Sequence, residues 1–139
     1  TAESIAQDLL FFRRSAMGMI SIGPFIPHPR TPLSACAPAD TVPVLRAIAL
    51  ARLLNPCAHI PVTTALRRSS AREAYKALEC GANVVMFNFT PAVFRRLYDL
   101  YPGRAKARFD AGRELDVLRA YAARSGRELD FSRGDFQSE

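Results

Sequence analysis

The sequence contains no tryptophan and only two histidines (His28 and His59), three cysteines and two lysines (Lys76 and Lys106). Each shortage excludes something. Two histidines on separate segments do not make a metal pair, because a metal site needs several convergent ligands. Cys36, Cys57 and Cys80 are odd in number and lie 21 and 23 residues apart, which suits neither a zinc site nor a disulfide framework. They read as reduced thiols of a cytoplasmic protein. No apolar run approaches the roughly 18 residues of a membrane-crossing helix, and the first residues lack the basic-then-apolar form of a secretion signal. A membrane partner is not expected. Glycine-rich phosphate loops, a Ser–His–Asp set and paired carboxylates at strand ends are all missing.

Acidic charge is also short: thirteen Asp and Glu against nineteen Lys and Arg, a net charge of +6. The excess is not concentrated. Arginines come as scattered pairs (Arg13–Arg14, Arg67–Arg68, Arg95–Arg96), with acids interleaved, as in Arg113-Glu114-Leu115-Asp116. Nucleic-acid sites show a basic stripe, with aromatics where single strands stack. Solvated helix faces explain this pattern better, and no nucleic-acid partner is expected.

What remains is the composition of a globular chain, 49% apolar and 23% charged over 139 residues. Its order can be read from periodicity. Thr1 to about Ala16 is an amphipathic helix with Ile5, Leu9, Phe12 and Ala16 on one face. Met19–Gly23 suits a buried strand and leads into Pro24–Pro32, where four prolines in nine residues forbid regular pairing. Asp40 or Thr41 caps a second helix, with Leu45, Ile48, Ala49 and Leu53 as its buried stripe and Asn55–Pro56 as its stop. His59–Ala65 is strand-like. Ser70-Ala71-Arg72-Glu73 has the capping-box form that opens a third helix, closed at Gly81. Ala82–Phe89 is a third strand, and Thr90–Pro91 starts a helix running through Phe94, Leu97 and Tyr98 to Pro102–Gly103. A last helix covers Ala111–Arg124, with Leu115, Leu118, Tyr121 and Ala122 inward, and a polar tail from Arg127 frays.

Apolar strands alternating with helices predict α/β architecture with parallel pairing. Three strands fall short of a doubly wound domain and of a (β/α)₈ barrel, which takes about 250 residues. The expectation is a piece of a larger α/β protein, with sheet edges left open. Ligands of such folds sit beyond the carboxyl ends of the strands. That rule selects Pro24–Pro32, Thr63–Arg68 and Met86–Thr90. Phe25 and Ile26 can clasp a flat apolar group, or simply belong to a rigid connector. Thr63 and Thr64 offer hydroxyls to a carboxylate or amine, or serve β-propensity alone. Met86 suits core filling. Asn88, an amide in an apolar run, needs partners if buried, and the phenols of Tyr98 and Tyr101 suit a pocket wall. His28 can act as an acid, a base or a ligand. None of these is a catalytic constellation by itself, so chemistry here must come from a bound cofactor.

The run Met19-Ile20-Ser21-Ile22-Gly23-Pro24-Phe25-Ile26-Pro27-His28-Pro29-Arg30-Thr31-Pro32-Leu33 closely resembles a segment of the HydE family, radical S-adenosylmethionine maturases of FeFe-hydrogenase. Ile60–Ala65 resembles the family's next strand, Cys80–Pro91 its last, and Arg96–Gly103 the segment after it. The resemblance spans roughly residues 1–104, leaving 105–139 as a C-terminal helix and polar tail. It implies about the last three βα units of a partial (β/α)₈ (TIM) barrel akin to biotin synthase. The parent would hold S-adenosylmethionine and a four-iron, four-sulfur cluster. It would generate a 5′-deoxyadenosyl radical and process a small cysteine-bound iron complex. The resemblance places Gly23, Pro24, Phe25 and Ile26 on the adenosyl group. Met19, Thr63, Thr64, Met86, Tyr98 and Tyr101 fall on the substrate cavity. Implied partners are the N-terminal half of the barrel, a small-molecule substrate and other hydrogenase maturases. The family's CxxxCxxC motif is absent, so this chain alone is expected to lack the cluster and to be inactive. Arg30 stands where an aspartate is common, and Phe87 where a proline is common. Biotin synthase, methylornithine synthase and a non-catalytic binding remnant are the alternative readings.

Overall fold

Helix caps, more than strands, organise the chain. The computed structural model describes residues 1–95, 97, 101 and 110–136. The chain divides into two units. The first comprises Thr1–Pro24, Ala39–Met86 and Ser132–Glu139; the second comprises Phe25–Pro38 and Phe87–Phe131.

In the first unit, α1 (Ala2–Arg14) begins where the Thr1 side chain accepts a hydrogen bond from Ser4 N at 3.1 Å. Only Leu9 of its expected stripe is buried; Ile5 and Ala16 are exposed and Phe12 is half-buried. Ala16 lies outside the helix at φ 45°. Of the two caps expected for helix α2 (Thr41–Leu54), Asp40 is the one used, its carboxylate accepting from Val42 N. Its buried face is Val44, Leu45, Ala47, Ile48 and Ala51. Leu53, expected inside, is 78% exposed. The sheet is much shorter than expected. Strand β1 (Pro61–Val62) pairs in parallel with β2 (Val84–Val85), Pro61 opposite Val84. The expected strand Met19–Gly23 contributes one isolated parallel bridge, Met19 with His59, through Ile20 N to His59 O and His59 N to Gly18 O, both 2.9 Å.

The second strand stops early because Thr63 does something else. Its hydroxyl accepts from Leu66 N at 3.2 Å and opens α3 (Thr64–Ser69). A threonine can satisfy either a strand or a cap, and here the local side chain–backbone bond wins. Ser70 then ends α3 and starts α4 (Ala71–Glu79): its N–H donates to Leu66 O, and its Oγ accepts from Glu73 N. Helix α4 closes through Cys80 into Gly81 at φ +113°. A Cβ there would also stand 2.6 Å from Arg52 Cβ, so both conformation and space require glycine. The Arg52 guanidinium binds Gly81 O at 2.9 Å and the carbonyls of Asn55 and Pro56, tying the ends of α2 and α4 together.

Ile20, Ile48, Ile60, Pro61 and Leu66 are the largest fully buried side chains. Helix α1 packs on α2, α2 on α4, α3 on α4, and α4 on β1. The expected fraying of the tail is corrected at Phe136, whose ring lies against Gly18, only 3.1 Å from where a Cβ would sit.

The second unit holds the proline loop, α5 (Ala92–Arg95) and α6 (Ala111–Arg124). Helix α6 matches the expected limits, with Asp110 as its cap and Leu118 and Ala122 buried. Leu115 and Tyr121, expected inside with them, are only half-buried. The expected continuation of α5 through Tyr98 to Gly103 lies outside the described residues apart from Leu97 and Tyr101. The result is α/β: helices with a small parallel sheet.

Candidate functional site

Three segments of the first unit run in parallel: Gly18–Ile20, His59–Val62 and Val84–Val85. Their carboxyl ends bring Gly23, Thr63 and Met86 to the same side of the sheet, as the sequence placed them. Gly23 backs directly onto Thr63. A Cβ on Gly23 would lie 2.6 Å from Thr63 Oγ1 and 3.3 Å from Thr63 Cβ. No side chain fits there, so this close approach fixes the extended backbone of 21–24 against the start of α3. Among the described residues, Ser21, Ile22 and Gly23 make no backbone–backbone hydrogen bond. Their amides and carbonyls are open to other partners.

Thr63 is buried and Thr64 half-buried. The Thr63 oxygen already accepts from Leu66 N, but its hydroxyl proton remains to be donated. Met19 and Met86 are both about half exposed, at 52% and 49%. Methionines left this open are surface or cavity-wall groups, which corrects the reading of Met86 as core filling.

The sequence reading missed two residues. Arg67 sits one turn into α3, and its Nη1 donates to Met86 O at 3.2 Å, joining the second and third carboxyl ends. Its signal was its place in Thr63–Arg68, the strand-end stretch that the sequence selected without giving this side chain a role. Asn83 Oδ1 accepts from Ile60 N at 2.8 Å while Asn83 N donates to Ile60 O, so an amide side chain supplies a ladder bond. The same logic had been applied to Asn88. That residue instead makes a local turn, its Oδ1 accepting from Thr90 N at 3.0 Å.

Pro24 is buried in the first unit; Phe25 (exposed) and Ile26 (half-buried) belong to the second, as does half-buried Tyr101. Tyr98 lies outside the described residues. His28 is used within its own loop: Nδ1 accepts from Arg30 N, and its carbonyl from Thr31 N and Oγ1.

Residues 21–130 match the family described as the Biotin and Thiamin Synthesis associated domain, BATS. The chain belongs to that family. The BATS match takes in every parallel segment except Gly18–Ile20, together with all the carboxyl-end residues named above. The chain is also 44% identical over 104 residues to the [FeFe] hydrogenase maturase subunit HydE of Thermotoga maritima. That alignment covers 75% of this chain and 30% of the relative's length. The likeness to HydE read from the motifs is thereby borne out.

Cys36 lies in the second unit, Cys57 and Cys80 in the first. Among the described residues, no group of three or more His, Cys, Asp or Glu is placed to hold a metal. Burial pushes the Cys80 thiol above its ordinary range, helped by the negative charges of Glu79 and Glu73 and opposed by Lys76, so it is a protonated packing group rather than a thiolate.

Proposed function

We propose that the chain forms βα units of a (β/α)₈ barrel in a HydE-like radical S-adenosylmethionine enzyme of FeFe-hydrogenase maturation. In this reading residues 1–104 are barrel and 105–139 an added helix and tail. The observation that carries it is the shared polarity of the three HydE-like segments, whose ends bring Gly23, Thr63 and Met86 to one side. The open backbone of 21–23, pressed on Thr63, suits an adenosyl group lying along it; the HydE likeness assigns Pro24, Phe25 and Ile26 to the same group. By the same likeness Met19, Thr63, Thr64, Met86, Tyr98 and Tyr101 are assigned to the substrate, with Thr63 and Thr64 donating to a carboxylate. S-adenosylmethionine would supply the radical chemistry once bound. The cluster does not fit this chain's dispersed thiols, and no step through it is assigned to these residues. Its ligands would come from the part of the barrel that the relative has and this alignment does not cover.

The test pairs the chain with that remaining portion of the Thermotoga maritima relative, after iron–sulfur reconstitution, and measures S-adenosylmethionine cleavage. Cleavage by the pair and not by this chain alone is the expected result. An inactive pair in which both parts are folded and associated would sink the reading. The BATS description also names biotin synthesis, so the same pair is assayed with dethiobiotin. Turnover of that substrate would move the assignment to a biotin synthase-like enzyme.

A further inference from the structure

The opposite end of the parallel segments has its own cavity. Helices α1 and α2 both finish there, and the chain passes from each into the segments containing Met19 and His59. Between these ends lies a cavity of about 560 Å³, lined by Arg13, Met17, Leu53, Leu54, Cys57 and Phe136 among others. That volume lies within the range of about 300–1,000 Å³ usual for small-molecule sites. The walls are held in place. Arg52 fixes the carbonyls of Asn55 and Pro56, and Phe136 is seated on Gly18. Leu53, which helix periodicity assigns to the core, is instead exposed where it lines this cavity.

The lining is mostly apolar, and its one charged side chain among the described residues is Arg13. Two helix C-termini meet here, and their partial negative charge alone would disfavour an anion. Arg52 answers the carbonyls after α2. A guanidinium–carboxylate pair, charge-assisted and able to form two bonds, outweighs what remains of the helix-end effect. We propose that this cavity binds a small amphipathic carboxylate, with its apolar chain against Met17, Leu53, Leu54 and Phe136 and its head group on Arg13. The site is separate from the carboxyl-end residues and does not depend on their assignment.

Cys57, an exposed thiol in the lining, serves as reporter, and Cys36, an exposed thiol of the other unit, as internal control. Alkylation of each is followed by peptide mass spectrometry on the full chain, with octanoate or octan-1-ol present. Octanoate is expected to slow Cys57 alone, with an apparent affinity about tenfold tighter than octan-1-ol, the ratio set by loss of one charged contact. Arg13→Gln, at an exposed position and with its melting temperature checked against the parent chain, should bring octanoate down to the octan-1-ol level. Equal protection by the two probes, protection unchanged in Arg13→Gln, or no selective protection of Cys57 would each overturn the proposal.

Discussion

Two glycines with positive φ separate conformational strain from crowding at the residue scale. Gly81, at +113°, has Arg52 against its missing side chain, whereas Gly126, at +63°, has nothing within 4 Å. Gly126→Ala therefore pays the left-handed conformation alone and should lose about 1 kcal/mol. Gly81→Ala adds overpacking, for a loss of about 3 kcal/mol. Urea titration of both variants checks the difference, and equal losses would remove the role given to Arg52. Cys80 offers a second test. Its raised pKa means that the folded thiol holds its proton where the unfolded one has begun to lose it. Its stabilising contribution is thus complete below the ordinary thiol range and is lost as pH rises through the folded pKa. The alkylation rate of Cys80 should accordingly rise at higher pH than that of the same cysteine in 8 M urea.

At the element scale, Ser70 closes one helix and opens the next. Ser70→Ala removes the Oγ acceptor for Glu73 N but keeps the N–H bond to Leu66 O, so the loss should be about 1 kcal/mol. The reciprocal half of a capping box is absent: Glu73 Oε1 instead pairs with Lys76 at 2.9 Å. Glu73→Gln should accordingly change stability by under about 0.5 kcal/mol. Thermal melts of the two variants distinguish the roles. This contrast also explains what could be read in advance. Asp40 and Ser70 announce helix starts through one side chain and the next three residues, and both were legible; Asp110 does the same for α6, whose start was read without its cap. Strand extent was not, because it depends on partners distant in sequence. Thr63 had the residue type of a strand and the neighbours of a cap. Leu53 followed the helical period, yet nothing local told which side of α2 the cavity would occupy.

For the whole molecule, the parallel order and the placement of Gly23, Thr63 and Met86 at one side were legible from motif order and the strand-end rule. Arg67 and Asn83 were not, since each acts through a backbone atom that sequence spacing does not locate. Among the described residues β2 pairs only with β1, and Phe89, Phe94 and Leu97 are 72%, 58% and 77% exposed. Unpaired strand edge and apolar surface of this kind favour association. The isolated chain should therefore bind a fluorescent hydrophobic probe and elute at larger mass as concentration rises. A sharp, concentration-independent melt of a monomer would contradict this.

The unit from β1 through α3 and α4 to β2 is contiguous in the chain, and each of its packing contacts closes a short loop. The bridge from Met19 to His59 spans a longer one, but loop length alone separates the two closures by less than about 0.6 kcal/mol. The local helix-to-helix contacts of α3 and α4 lead to the prediction that this unit condenses first and that the Met19 segment joins later. Substitution at Ser70 should slow refolding, whereas substitution at Ile20 should mainly hasten unfolding. That outcome would make the turn shaping the Thr63 end of the sheet the step that limits folding, and equal effects of the two substitutions on refolding would count against it.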